Sequence, residues 1–173
     1  VFILPGECLA IKVGPAEFND AYTHSSGQIP LRGAGLKKFV QLKVFASGLY
    51  LPSEIPSSQV LSDVTKRLEV VYLLSIPKEE LHKATIQGIK ANTSPEEFKA
   101  LTSRIKQIND YYPDVKRLDR IEVTYTKGIG SQVSFNGKYL GTVKGADFAR
   151  AFFAIWIGDH PVDVRLKKEL LKE

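Results

Sequence analysis

The run 39–51 constrains the fold of this chain more than any other stretch. Along it Val40, Leu42, Val44, Ala46 and Tyr50 alternate with Phe39, Gln41, Lys43, Phe45, Ser47, Leu49 and Leu51, so one face is uniformly apolar and the other mixed. A period of two sustained over that length predicts a long β-strand covered on one side. Pro52, which has no N–H for a ladder, ends it. Shorter strands are expected at 11–13 and 17–23, on either side of Gly14-Pro15, and His24-Ser25-Ser26-Gly27 is a turn by composition. After a short helix that Ser57 caps and that runs to Val64, the segment 67–75 (RLEVVYLLS) is a second clear strand.

Two helices follow. Pro77 and the acidic pair Glu79-Glu80 suit the first turn of one, which carries Leu81, Ala84, Thr85 and Ile89 on a common face. Ser94-Pro95-Glu96-Glu97 is a capping box with proline at the first helical position, and it opens a helix with Phe98, Leu101, Ile105 and Ile108 spaced by three and four. Strands are expected at 120–127, 131–135 and 139–143, with Asn136-Gly137 as the preferred two-residue hairpin turn between the last two. The segment 146–156 is nearly all apolar and reads as a buried helix, and Asp163 caps a last one with Leu166, Leu170 and Leu171 inward. Strands and helices grouped this way make an α+β antiparallel-sheet domain, and no repeat or linker divides residues 1–173.

Charge excludes more than it suggests. The net charge of +5 comes from 24 basic residues spread along the chain among acidic partners, without zinc-knuckle spacing or stacking aromatics, so a nucleic-acid partner is not expected. No stretch approaches the ~20 apolar residues of a membrane span. His24, His82 and His160 share no metal-ligand spacing, and no metal or cofactor is expected. His160 reads as a packing residue at a helix entry, and Tyr111-Tyr112-Pro113 as a packed corner ending a helix. Cys8, the only cysteine, has no basic neighbour to activate it. Residues 1–10 read as the end of a signal peptide, a cloning remnant or an ordinary first strand. The absence of methionine is expected of a processed or trimmed chain. A periplasmic or secreted location is the expectation, with a soluble cytoplasmic one as the alternative.

Two separated stretches resemble the chalcone isomerase family, in particular its bacterial chalcone isomerase-like branch. One is Leu31-Arg32-Gly33-Ala34-Gly35-Leu36-Lys37-Lys38 running into Lys43-Val44-Phe45-Ala46-Ser47-Gly48-Leu49-Tyr50-Leu51, similar to the family's Gly-Ala-Gly loop and following long strand. The other is the 153–162 run FAIWIGDHPV with Leu166-Lys167, similar to its apolar helix, Ile-Gly-acid turn and final helix. The resemblance covers about residues 28–172 and implies an open-faced β-sandwich: a large antiparallel sheet covered on one face by α-helices, with a ligand cleft between.

The same resemblance implies what the cleft has lost. The family's enzymes close a ring by adding a phenolate across an enone, using an arginine after the Gly-Ala-Gly loop. That position matches Lys37, which keeps the charge without the planar fork. A water-ordering threonine matches Phe45. A Tyr and Asn of the first long helix fall near Leu74 and Leu81, and a further threonine matches Ile155, beside Trp156. No catalytic residue is therefore expected. Apolar replacements around one cation suit burial of an aliphatic chain with an anionic head group. The resemblance thus implies non-catalytic binding of a fatty acid or similar amphiphilic anion, as in plant relatives that bind fatty acids. The implied ligand residues are Gly33, Ala34, Gly35, Lys37, Phe45, Ile155 and Trp156, with Arg32 as the alternative head-group cation. The alternatives are an isomerase acting on a chalcone-like enone, and a structural or interaction protein whose cleft is filled by Phe45, Phe152, Ile155 and Trp156.

Overall fold

The computed structural model describes residues 9–173, so Cys8 and most of the expected signal-peptide end lie outside the described residues. Strands β1 (Ala10–Val13) and β2 (Ala16–Asn19) form a separate hairpin. Strands β3 (Ala21–His24), β4 (Gly27–Phe39), β5 (Leu42–Tyr50), β6 (Lys66–Tyr72), β7 (Arg120–Thr126), β8 (Gly130–Phe135) and β9 (Lys138–Val143) make one seven-stranded sheet in chain order, every neighbouring pair antiparallel. Helices α1 (Lys78–Ala91) and α2 (Pro95–Tyr111) sit between β6 and β7, and α3 (Ala146–Ile157) and α4 (Val164–Leu171) follow β9. The α+β, open-faced arrangement expected from the sequence is the one observed.

Several local signals act as read. Ser94 Oγ accepts from the Glu97 N–H while the Glu97 carboxylate accepts from the Ser94 N–H, completing the capping box of α2. Asp163 caps α4 by accepting from the Leu166 N–H at 3.0 Å. Asn136 and Gly137 both take positive φ in the β8–β9 turn.

Other elements differ from the sequence reading. The run 39–51 is not one strand. β4 ends at Phe39, Val40-Gln41 makes a tight turn, and β5 begins at Leu42, with Phe39 and Leu42 directly opposed. Neither Val40 nor Gln41 is a turn former, so composition holds no break there. Gly33-Ala34-Gly35 is part of strand β4, bordered by register irregularities, and not a loop. The expected strand 17–23 breaks at Asp20 into β2 and β3, and the expected helix to Val64 is a single 3-10 turn, Ser57–Gln59.

Both faces of β5 are covered. Leu49 joins Leu68, Val70, Val123 and Val133 under Phe148, Phe152 and Phe153 of α3 and Leu166 and Leu170 of α4. On the opposite face Ala46, Val71 and Leu73 pack beneath Ala16 and Phe18 of the β1–β2 hairpin. A single-sided reading of β5 failed because the strands expected at 11–13 and 17–23 carry no local signal of the surface they would cover. Lys66, buried on the helix-covered face, donates to the Ser62 and Val64 carbonyls at 2.9 Å each and lies 5.0 Å from the Tyr125 ring centroid. Burial lowers its amine to about 8 against the opposing pull of Asp63.

Helix α4 lies directly on β4. A Cβ on Gly33 would stand 2.2 Å from the Glu169 carbonyl oxygen, and one on Gly35 2.1 Å from Glu169 Oε2. The Leu36 N–H donates to that same carboxylate at 3.1 Å. The paired glycines thus have a packing reason. On the sheet's outer side Glu69 is bracketed by Arg67, 2.8 Å from Oε1, and by Arg120, while Glu122 stands opposite Glu69 in the ladder. Glu122 accepts from the Gly137 N–H, but its Oε2 has no partner among the described residues.

Two predictions follow from this packing. Gly33→Ala meets backbone that no rotamer change relieves, so it should destabilise by about 1–3 kcal/mol in chemical denaturation. Burial pushes the Glu122 carboxyl up, with Arg67 opposing and Glu69 adding to the shift. An acid raised in the folded state costs nothing below its unfolded pKa, and its cost grows as pH rises through the folded one. Glu122→Gln should therefore raise the melting temperature at neutral pH, and the gain should shrink on acidification through the glutamate range.

Candidate functional site: an apolar cavity between the sheet and helix α1

A cavity of about 460 Å³ opens between the sheet and the helices. Val44, Phe45, Val70 and Tyr72 form its sheet side, and Leu81, Ala84, Thr85 and Gly88 of α1 face them. Ile76, Tyr112, Ile155, Trp156 and the 160–162 segment complete the wall. Gly88 permits α1 to meet α3 closely, since a Cβ there would lie 2.8 Å from the Ile155 side chain. Asn92, at the end of α1, donates to the Gly88 and His160 carbonyls at 2.9 Å each and accepts from the His160 N–H at 3.0 Å. That side chain fastens the turn before α4 to α1 and so holds His160, Pro161 and Val162 in the wall.

The electrostatics are sparse. Among the described residues, Glu80 is the only Asp, Glu, Lys or Arg in the lining. Burial raises the Tyr72 hydroxyl above the usual phenol range, with nearby Tyr112 adding to the shift. Burial also pushes Tyr112 up to about 12, against a hydrogen bond with Thr85. These phenols stay neutral at physiological pH and offer hydrogen bonds without charge. Trp156 Nε1–H is buried without a partner among the described residues, an arrangement that costs free energy unless an acceptor arrives. Its ring packs 5.3 Å from that of Phe152, and Phe45 meets Tyr72 edge-on at 6.3 Å.

Of the residues singled out in the sequence, Phe45, Ile155 and Trp156 meet around this cavity. Leu81 joins them, while Leu74 is not in the lining and Phe152 is buried in the main core. Gly33 and Gly35 face α4, and Ala34 packs on the opposite side of the sheet with the β1–β2 cluster. Lys37 lies at the cavity's edge without lining it. It is directly opposite Phe45 in the ladder, and its Nζ is 3.1 Å from Asp163 Oδ2, next to the lining residue Val162. Burial acts to raise the Asp163 carboxyl, yet the Leu166 N–H and Lys37 together hold it below the usual range. Arg32 is occupied elsewhere, donating to the Ile55 carbonyl at 2.6 Å and tying down the chain after β5.

Tyr72, Tyr112 and His160 were missed as cavity residues. Tyr72 shares a face with Leu68 and Val70 by its period-two spacing, which is a usable signal. Tyr112 and His160 carried none, because a packed corner and a cavity wall have the same local composition.

The family model described as chalcone isomerase-like matches residues 10–172. No curated protein matches the chain. Among solved structures, the chain is similar to a fatty-acid binding protein of Arabidopsis thaliana at 18% identity, with a TM-score of 0.69 over 94% of this chain and 96% of that one. The likeness is one of fold, and it extends over nearly the whole of both chains.

Trp156 is the only tryptophan in the sequence, so its emission reports on the cavity. Filling the cavity with an apolar ligand should change the intensity and position of that emission and slow its quenching by acrylamide. Unchanged emission at saturating ligand would show that the cavity had not been filled.

Proposed function

The chain belongs to the chalcone isomerase-like family, and on that premise we propose that it binds a fatty acid or similar amphiphile, without catalysis, in the cavity between its sheet and helix α1. The observation that carries this reading is an apolar cavity of about 460 Å³, within the ordinary size range of small-ligand sites, whose wall holds a few hydrogen-bonding groups, one carboxylate (Glu80) and, among the described residues, no lysine or arginine. Phe45, Leu81 and Ile155 line it where the resemblance sets hydroxyl and amide groups in the ring-closing enzymes. A site walled in this way favours burying methylenes over holding a reacting water. The similarity in fold to a fatty-acid binding protein supports the same ligand class.

The head group belongs at the edge, beside Lys37. Burying a chain methylene is worth about 0.8 kcal/mol. A partly exposed ion pair such as Lys37–Asp163 is worth roughly 1 kcal/mol or less. Exchange of Asp163 for a ligand carboxylate therefore costs little, and the chain supplies most of the affinity while Lys37 sets orientation.

Lipid extraction and mass spectrometry of the purified protein, with displacement of a fluorescent fatty acid, test the reading directly. A copurified or displaceable amphiphile is expected; finding neither would sink it. Ala84→Trp, which fills the open side of the cavity, should weaken uptake by roughly tenfold or more. Lys37→Glu should weaken it only a few-fold. Asp163→Asn, which keeps the cap of α4 but frees Lys37, should strengthen it.

A further inference from the structure

The β4–β5 hairpin tip breaks several local rules at once. Phe39, Val40 and Leu42 are 70%, 81% and 53% exposed, a run of large apolar side chains at the end of a two-residue turn. Val40 sits at φ 57, a conformation that suits glycine or asparagine and strains a β-branched residue. The β8–β9 turn, built on Asn136-Gly137, shows the unstrained solution within this same sheet. Local rules broken without a packing gain mark sites selected for something else. Directly behind the tip, the exposed Lys38 and Lys43 stand opposite one another in the ladder, a like-charge pairing that disfavours the hairpin. Neither makes an ion pair with a described residue. No acidic residue occurs in the sequence between Asp20 and Glu54. The Lys37–Asp163 contact brings a second exposed apolar pair, Val162 and Val164, alongside the same end of the hairpin.

We propose that this tip docks the protein on the surface of a bilayer containing acidic phospholipid, with Phe39, Val40 and Leu42 entering the interface and Lys38 and Lys43 meeting the lipid phosphates. Apolar side chains that gain by leaving water, backed by cations near the head-group plane, are the two contributions that hold a peripheral protein on such a surface. The occupant is a lipid surface because the patch pairs large apolar groups with uncompensated positive charge and no acidic residue. A second copy of this chain would instead bring Lys38 and Lys43 against like charge. The docked orientation sets Val44, Phe45 and Val162 of the cavity wall close behind the membrane surface. Docking does not depend on what the cavity holds.

Cosedimentation of the full chain with vesicles tests the proposal. The protein should bind vesicles of equal parts phosphatidylcholine and phosphatidylglycerol, release them as salt is raised, and leave pure phosphatidylcholine vesicles largely in the free fraction. Lys38→Gln with Lys43→Gln should weaken binding by roughly tenfold or more. Val40→Asn with Gln41→Gly rebuilds the turn in its favoured chemistry, so it should raise the melting temperature while weakening vesicle binding. Failure of the unaltered chain to bind the acidic vesicles would overturn the proposal, as would equal binding by all variants or equal binding to pure phosphatidylcholine. So would a dimer in sedimentation equilibrium that the Val40→Asn/Gln41→Gly change dissociates, because the tip would then be an interface between copies.

Discussion

Helix α4 rests on strand β4 at a distance that only glycine at positions 33 and 35 permits, and much of the site's geometry depends on that contact. Seating α4 there turns the Glu169 carboxylate toward the Leu36 N–H and carries Asp163, at the helix N-terminus, beside Lys37. The segment leading into α4 is thereby fixed at one end, and Asn92 fixes it at the other through the backbone of His160. A stretch of irregular backbone held from both sides can serve as a cavity wall with its polar groups satisfied. The glycine pair is thus a support for the site and not a part of its lining.

The cavity shows the same economy in its chemistry. Among the described residues its polar groups are the Tyr72 and Tyr112 hydroxyls, kept neutral by burial, with Thr85, Gln87, His160, the unpaired Trp156 indole N–H and the carboxylate of Glu80. The cation lies at the edge, where Lys37 already has a partner in Asp163. An interior of this kind distinguishes ligands by how much apolar surface they bury, while the edge distinguishes their ends.

The sheet has two working faces. The helix-covered face carries the main core and the cavity, while the outer face is closed by Phe18 over Ala46 and by the Arg67–Glu69–Arg120 group. Beyond the reach of either cover, the β4–β5 hairpin projects its apolar end into solvent. The feature that made residues 39–51 look like one continuous strand, a turn composed of Val and Gln, is the same feature that leaves this tip exposed and strained.

The sequence by itself determined the α+β class, the caps at Ser94 and Asp163, the Asn136-Gly137 hairpin, the buried helix α3 and the inward face of α1 that carries Leu81. Each of those rests on spacing or on hydrogen bonds that close within a few residues. Only the tertiary structure decided that Gly33 and Gly35 receive a helix rather than a ligand, that Lys37 is paired, that Arg32 ties down a loop, and that Tyr72, Tyr112 and His160 join the wall. Those outcomes depend on elements that meet across long stretches of chain: Gly33 on Glu169, Lys37 on Asp163, Asn92 on His160. Local sequence sets what a segment prefers, but which surface it meets is set by the packing of the whole sheet and its helices.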